Sequence, residues 1–318
     1  MRVNSIKAIN TSIKDDEKSF VKYNILKQNH IFLIASLGLS IAAFVLFFVK
    51  GFNKSVDFAG GAQIEFVCKL HASGQDVPNA DSGACLKLAK DILTEGGYKT
   101  FTAKIKNQSI VLQLNASEAK AQKDIDSINE LLSLKMQQQG IDIVVEKSDF
   151  ILQSFSSELV FKSILALVIT FIAIAIYVAF RFTLAEGLSV MLTLIHDAVL
   201  TIGFVCIAGI SLDISIIAAI LTVIGYSVND SVIIFDRIRS NKYLLARHSR
   251  FFVISKSINE TFSRTIVTSL TTVFSVLAIL LFAGHVIQGF AFTVLFGVVF
   301  GTYSSIFISS ALLLYFED

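Results

Sequence analysis

Six apolar stretches, each long enough to cross a bilayer, constrain this chain more than anything else in its sequence. They run over residues 31–49, 160–180, 184–208, 214–235, 265–283 and 287–315. A spanning helix needs about 20 mostly apolar residues. Inside hydrocarbon every backbone N–H and C=O must find a partner within the segment, so each stretch is expected to be helical. Composition agrees. Of 318 residues, 54% are hydrophobic and 16% charged, with a mean hydropathy of +0.69. A soluble domain carries nearer to about 25% charged residues. Tryptophan is absent, which leaves Tyr and Phe to anchor the interfaces. The first stretch follows residues 1–30, which are mostly polar, and no A-x-A cleavage signal follows it, so it reads as an uncleaved span.

Lys and Arg concentrate on the cytoplasmic side of membrane proteins and so choose the orientation. The segment 1–30 carries Arg2, Lys7, Lys14, Lys18, Lys22 and Lys27, which puts it inside. Residues 50–159 then lie outside and Arg181 inside. The turn 209–213, with no Lys or Arg, lies outside. Residues 236–264 read as a basic inside loop, with Arg237, Arg239, Lys242, Arg247, Arg250, Lys256 and Arg264. The turn 284–286 is outside again, and both termini are expected in the cytoplasm.

Between the first and second spans only residues 50–159 are long enough for a folded domain. Residues 63–67 alternate as a strand, 81–93 look helical, and 101–105 and 110–114 are short alternating runs around a turn at 106–108. Residues 116–139 read as a long helix with Ser117 as its N-cap, and 141–145 as a closing strand. The order β-α-β-β-α-β is that of a ferredoxin-like α+β domain, a fold that names no function by itself. Cys68 and Cys85 flank a loop holding His71, Gly74, Pro78 and Gly83. In an oxidising compartment they can bridge the first strand to the first helix; two free thiols are the alternative. Cys206 falls in a span and reads as packing, and His71 as a solvated loop residue. No metal-ligand spacing is present.

Three spans carry polar stripes at helical spacing. The third has Ser189, Thr193, Asp197 and Thr201, with His196 beside Asp197. The fourth has Thr222, Tyr226 and Asp230, flanked by Ser227, Asn229 and Ser231, and the fifth has Arg264, Thr268, Thr272 and Ser275. Residues so spaced share a helix face. The hydroxyls alone are expected to bond their own helix backbone. The His196–Asp197 pair reads equally as a structural tie between helices. Asp230 is different: it lies about six residues, or roughly 9 Å, inside the helix end at Asp236, too deep for its short side chain to reach water. Arg264, at the edge of its span, has a second reading as an orientation anchor. Burial favours a neutral aspartic acid and a nearby arginine favours the carboxylate, so a motion that changes their separation changes proton affinity. One charge crossing the membrane potential supplies about 2.3 kcal/mol per 100 mV, enough to bias a conformational equilibrium roughly 50-fold. In the sixth span Gly297-x-x-x-Gly301 permits close helix contact. No phosphate-binding loop, HExxH or GxSxG motif occurs, so ATP hydrolysis and the common hydrolase chemistries are not expected.

Several of these segments resemble one family. Residues 225–239 (GYSVNDSVIIFDRIR) resemble the signature of SecF proteins of the SecD/SecF family, and residues 57–61 (DFAGG) resemble its D-F-x-G-G element. Residues 195–197 (IHD), 263–269 (SRTIVTS) and 289–305, which ends in GTYSS, resemble the third-, fifth- and sixth-span motifs. The resemblance implies a multi-pass bacterial inner-membrane subunit, half of a twelve-span assembly similar to the RND transporters. It implies pairing with SecD, association with the SecYEG channel, and use of the proton motive force to draw preproteins outward alongside SecA. YajC and YidC are further partners it suggests, and nucleic acid is not among them. Asp230 then matches the proton-relay aspartate and Arg264 the arginine that accompanies it. Asp197, His196, Tyr226, Asn229 and Thr268 support them, and Asp57, Gly60 and Gly61 mark the external-domain motif. The coupling ion is expected to be H⁺, with Na⁺ as the alternative, and no other cofactor. Residues 1–30 have no counterpart in the resemblance.

Overall fold

The computed structural model describes residues 29–72, 75–78, 82–98, 101–106, 109–114, 121–151, 153–245, 248–283 and 287–317. The basic residues of the N-terminal segment, Ser117, Arg247 and the turn 284–286 lie outside these residues.

Helix α1 (Asn29–Lys50) is the first apolar span. A short joint follows, made of β1 (Asn53–Lys54) and the single turn α2 (Val56–Ala59). The external domain comprises β2 (Gly61–Ala72), β3 (Gln75–Pro78), α3 (Ser82–Glu95), β4 (Phe101–Lys106), β5 (Ser109–Leu114), α4 (Ala121–Gln137) and β6 (Ile141–Ile151). Strand β2 is its axis. It pairs antiparallel with β6 along one edge, and with β5 and then β3 along the other, while β4 pairs antiparallel with β5. One face of this sheet buries Ile64, Phe66, Ile110 and Leu112 against Leu93 and Ile92 of α3 and Ile128, Leu132 and Met136 of α4. The alternation in β2 and β5 and the 3.6-residue spacing in the helices supply that core.

Two expectations for the domain change. Strand β2 continues to Ala72 and pairs with β3, so His71 lies in a strand opposite Asp76 rather than in a loop. The hairpin is short and polar and ends on Pro78, a residue confined to sheet edges because it cannot donate to a ladder. Its polarity gave no alternation by which to read it.

The remaining spans are α5 (Gln153–Arg181), α6 (Leu184–Ala208), α7 (Ile214–Leu244), α8 (Arg250–Phe282) and a sixth made of α9 (Gln288–Tyr303), a π-helical turn (Ser304–Ile308) and α10 (Ser309–Glu317). Two residues between α6 and α7 form β7 (Ser211–Leu212). With α1 these are six helices of sufficient length and apolarity to cross a membrane. Helix α6 stops at Gly209, which takes the left-handed conformation (φ 66°) open to glycine, and Asp213 caps α7 by accepting from the Ile216 amide at 2.9 Å. The stretch 236–264, expected as a loop, is largely helical. Both α7 and α8 run past their apolar windows, and Arg237 Nε on one donates to Glu260 Oε2 on the other at 2.6 Å.

Burial is unequal. Only 11% of the apolar window of α1 and 6% of that of α5 is buried, against 56% for α6 and 61% for the sixth span. Helices α1 and α5 are thus the least buried, and α6, α7 and the sixth span make the centre. Gly297 and Gly301 form a notch in α9 that receives α7: a Cβ on Gly297 would overlap Val223, and one on Gly301 would lie 3.4 Å from Ser227 Cβ. Gly203 admits Ala43 of α1 in the same way. Small residues at such crossings let backbones approach where hydrocarbon provides no hydrophobic drive. Gly297→Val is expected to destabilise the bundle by ~1–3 kcal/mol, the usual range for overpacking, read as an earlier thermal transition in detergent. Adding Val223→Ala should recover part of the loss. A Gly297→Val protein as stable as the parent would show that the notch is not tight.

Candidate functional site

The centre of the bundle holds two buried aspartates in opposite situations. Asp197 on α6 is 1% exposed and fully partnered. Its Oδ2 accepts hydrogen bonds from Ser227 of α7 and, at 2.7 Å, from Ser304 in the π turn. Its Oδ1 lies 2.9 Å from His196 Nδ1, and His196 Nε2 bonds to Ser36 Oγ of α1. One carboxylate thus ties four spans. Gly301 lies against this carboxylate and Ser227: a Cβ there would be in ordinary contact with both, 3.9 Å from Asp197 Oδ2 and 3.4 Å from Ser227 Cβ. The other hydroxyls of the third-span stripe do not reach across: Ser189, Thr193 and Thr201 each donate to the carbonyl four residues earlier.

Asp230 on α7 is 0% exposed, and neither carboxylate oxygen has a hydrogen-bond partner. Arg264 of α8 acts on it through its charge without closing an ion pair. Thr265 Oγ1, also fully buried, is likewise without a partner. Beside them Tyr226 Oη donates to Ser269 Oγ at 2.9 Å, and Ser269 bonds to Thr302 of α9 at 2.7 Å. Ser231 donates to Ser305 at 3.2 Å. Burial in hydrocarbon strongly disfavours an unpartnered charge. Such a site is chemically suited to take up and release one proton as its surroundings change.

The structure separates the remaining stripe residues from this centre. Thr222 and Asn229 of α7 and Ser275 of α8 are exposed, with Thr268 and Thr272 half-buried; Thr271, outside the stripe, is exposed as well, and so is Arg264, whose charge nevertheless reaches Asp230. The inward polar face of α7 is Ser227, Asp230 and Ser231. Spacing alone did not reveal Ser304 as a partner of Asp197, Ser305 as a partner of Ser231, or Thr302 as a partner of Ser269. The signal available was the cluster of small hydroxyl residues following Gly297-x-x-x-Gly301.

Asp57, Gly60 and Gly61 lie at the joint between α1 and the external domain. Asp57 Oδ2 accepts from the Ile214 amide, the first of α7, at 3.0 Å. Residues around it make the same connection: Asn53 Nδ2 donates to Gly209 O at 3.1 Å and Ser55 N to Leu212 O at 3.0 Å. Strands β1 and β7 pair in parallel. Gly60 and Gly61, at φ 72° and 107°, turn the chain from α2 into β2 through backbone conformations that side-chain-bearing residues rarely adopt. Lys147 of β6 is part of this cluster. Burial acts to lower its pKa, but the bond to Asp149 and the carboxylates of Asp149, Asp57 and Asp213 outweigh that and hold it above the ordinary lysine value. Cys68 and Cys85 form a disulfide within the domain core, with Cα atoms 6.7 Å apart, and Cys206 is a buried free thiol. Among the described residues no group of three or more His, Cys, Asp or Glu side chains is placed to hold a metal ion.

Two family models match these parts of the chain. Residues 131–318 match the C-terminal model of the protein export membrane proteins SecD/SecF, and residues 45–67 match the SecD/SecF GG motif. The protein translocase subunit SecF of Calditerrivibrio nitroreducens is 34% identical over 309 residues, covering 91% of this chain and 92% of its own. That of Rickettsia akari is 35% identical over 286 residues, covering 89% and 88%. The chain belongs to the SecD/SecF family. Among solved structures, SecDF from Thermus, a translocon-associated membrane protein, superposes with a TM-score of 0.78 at 31% identity over 93% of this chain. A SecDF structure in a super-membrane-facing form gives 0.63 at 28% identity. This chain spans 38% and 39% of those two longer chains.

The SecD/SecF GG motif is therefore the joint, and its aspartate holds the end of the helix that carries Asp230. Asp57→Ala should cost about 1 kcal/mol, as loss of a helix-capping acceptor does, and should accelerate amide exchange at residues 214–216 in hydrogen-exchange mass spectrometry. Asp57→Asn, which keeps an acceptor, should do so less. Unchanged exchange in Asp57→Ala would show that the contact does not hold α7.

Proposed function

We propose that this chain is the SecF subunit of a Sec translocase, working with SecD to convert an ion gradient into assistance for preprotein movement across a bacterial inner membrane. Asp230 and Arg264 are the coupling pair. The observation that carries this reading is the fully buried, unpartnered carboxylate of Asp230 beside an arginine, on the helix whose first amide is held by the family's GG motif. Proton uptake at Asp230 changes what α7 and α8 can pack against, and the joint passes movement of α7 to the external domain. His196 and Asp197 hold the core of the bundle while this happens. Tyr226 and Thr268 line the α7–α8 side, and Asn229 faces outward from it.

SecD is the partner this surface requires. Thr222, Asn229, Arg264, Thr271 and Ser275 leave a polar face on two apolar helices, and such a face is costly against lipid. A second polar bundle covers it. SecYEG, the translocating preprotein, YajC and YidC belong to the wider assembly by family membership. The external domain is read as ferredoxin-like, supported by the strand order β6-β2-β5-β4 with α3 and α4 packed in its core. Both termini are placed in the cytoplasm. The joint and the 209–213 turn then meet at the outer ends of the spans, with Arg181, Arg237 and Arg239 at the opposite ends.

Asp230→Asn should reduce gradient-dependent translocation in inverted vesicles to the level seen without a gradient, while SecD still co-purifies. Collapsing ΔpH and the sodium gradient separately identifies the ion; H⁺ is the expected one. Retained gradient dependence in Asp230→Asn would instead favour a scaffold that stabilises SecD.

A further inference from the structure

At the outer end of the bundle α1 and α5 part around a cavity of about 420 Å³. Its floor is α6 and α7, through Val199, Ile202, Ile217 and Ile220, and its roof is the joint, through Phe52 and Phe58. Phe44 and Phe47 of α1 and Ile164 of α5 form the sides. The volume lies in the ~300–1,000 Å³ range of ligand pockets. Among the described residues, Ser163 and Lys54 are the polar members of the lining and it includes no carboxylate. Lys54 is exposed at the rim, beside the end of the span.

This chemistry selects the occupant. Ordered water needs two to four polar partners, which the walls do not supply. An extended polypeptide would bring N–H and C=O groups that find none either, at several kcal/mol each. A helix about 10–12 Å across would fill the space with roughly one turn. A slender apolar chain ending in a negative group satisfies both the walls and Lys54. The cavity also opens between the two least buried spans, where membrane lipid is the neighbouring phase.

We propose that this cavity holds an acyl chain of a phospholipid from the leaflet on the external-domain side, its anionic headgroup on Lys54. The site does not depend on how Asp230 is used. An acyl chain here touches Phe52 and Phe58 on one side of the Asp57–Ile214 contact and Ile217 and Ile220 on the other, so the joint between external domain and bundle is packed partly by lipid.

The test uses the chain purified with SecD in vesicles of phosphatidylethanolamine and phosphatidylglycerol, the phosphatidylglycerol carrying a diazirine in its acyl chain. Mass spectrometry maps the photo-adducts. Label is expected to concentrate on Phe47, Phe58 and Val199 over Phe48 and Phe161, which sit at similar depth but are 68% and 66% exposed outside the cavity. Val199→Trp, and independently Ile164→Trp from another span, fill the space and should lower cavity adducts about ten-fold, equivalent to ~1.4 kcal/mol of affinity, with Phe48 and Phe161 unchanged. Lys54→Glu should lower labelling by phosphatidylglycerol more than by a zwitterionic phosphatidylcholine probe. Equal labelling inside and outside the cavity, or labelling that neither filled variant reduces, overturns the site. Equal losses for both headgroups overturn the role of Lys54. A photoreactive residue at position 47 that captures polypeptide instead of lipid overturns the choice of occupant.

Discussion

Moving a carboxylate out of water costs several kcal/mol even after the protein relaxes, and an isolated one in hydrocarbon is not sustained as a charge. Two carboxylates stand at the centre of this bundle, and the arrangement of helices follows from how each is accommodated. Asp197 is met by Ser227, Ser304 and His196, which requires α6, α7 and the sixth span to approach within hydrogen-bond reach. The close approach of α7 to the sixth span requires glycine at 297, where a Cβ would overlap Val223. The π turn at Ser304–Ile308 presents Ser304 to Asp197 and Ser305 to α7. Turns of this type occur inside helices at functional sites, where an altered hydrogen-bond ladder re-aims side chains.

Asp230 is accommodated differently, by lacking partners. Only one turn of α7 separates it from Ser227, so both aspartates bear on the same helix. Asp197 holds α7 against α6 and the sixth span, while Asp230 meets α8 and the charge of Arg264. The helix is thus tied at its middle to the bundle and at its first amide to Asp57. A change in charge at Asp230 therefore has a mechanical path to the external domain through covalent and hydrogen-bonded connections seen here, with no long chain of side chains between.

The spans were legible in the sequence because hydrocarbon demands long apolar runs, and their order and number follow from that demand. Their ends were less so. Hydropathy stops where a helix leaves lipid, yet α7 and α8 continue as helices through Arg237, Glu260 and Asn241, whose mutual bonds stabilise them in water. The polar stripes show the same limit. Spacing identifies residues that share a helix face but not what that face meets: Thr222 and Asp230 share a stripe, yet one is exposed while the other is fully buried. Asp197 and His196, read as either a tie between helices or a functional pair, have the partners of a tie. The contact of Asp57 with Ile214 joins residues 157 apart in sequence and had no local signal.

The two faces of α7 explain why the bundle is incomplete alone. On its inner face Ser227 and Ser231 bond to α6 and the sixth span. Its other side, with α8, carries Thr222, Asn229, Arg264, Thr271 and Ser275 into the place of lipid. Hydroxyls on a helix can bond back to their own carbonyls, as Thr222 and Ser275 do, but such a bond does not neutralise the charge of Arg264. That charge needs another polar surface or water. Asp230 thus lies between a closed network that holds the helix and an open polar face that awaits a partner. In the function proposed above, its proton exchanges toward the open side, and the coupling step and the seam with the second subunit coincide.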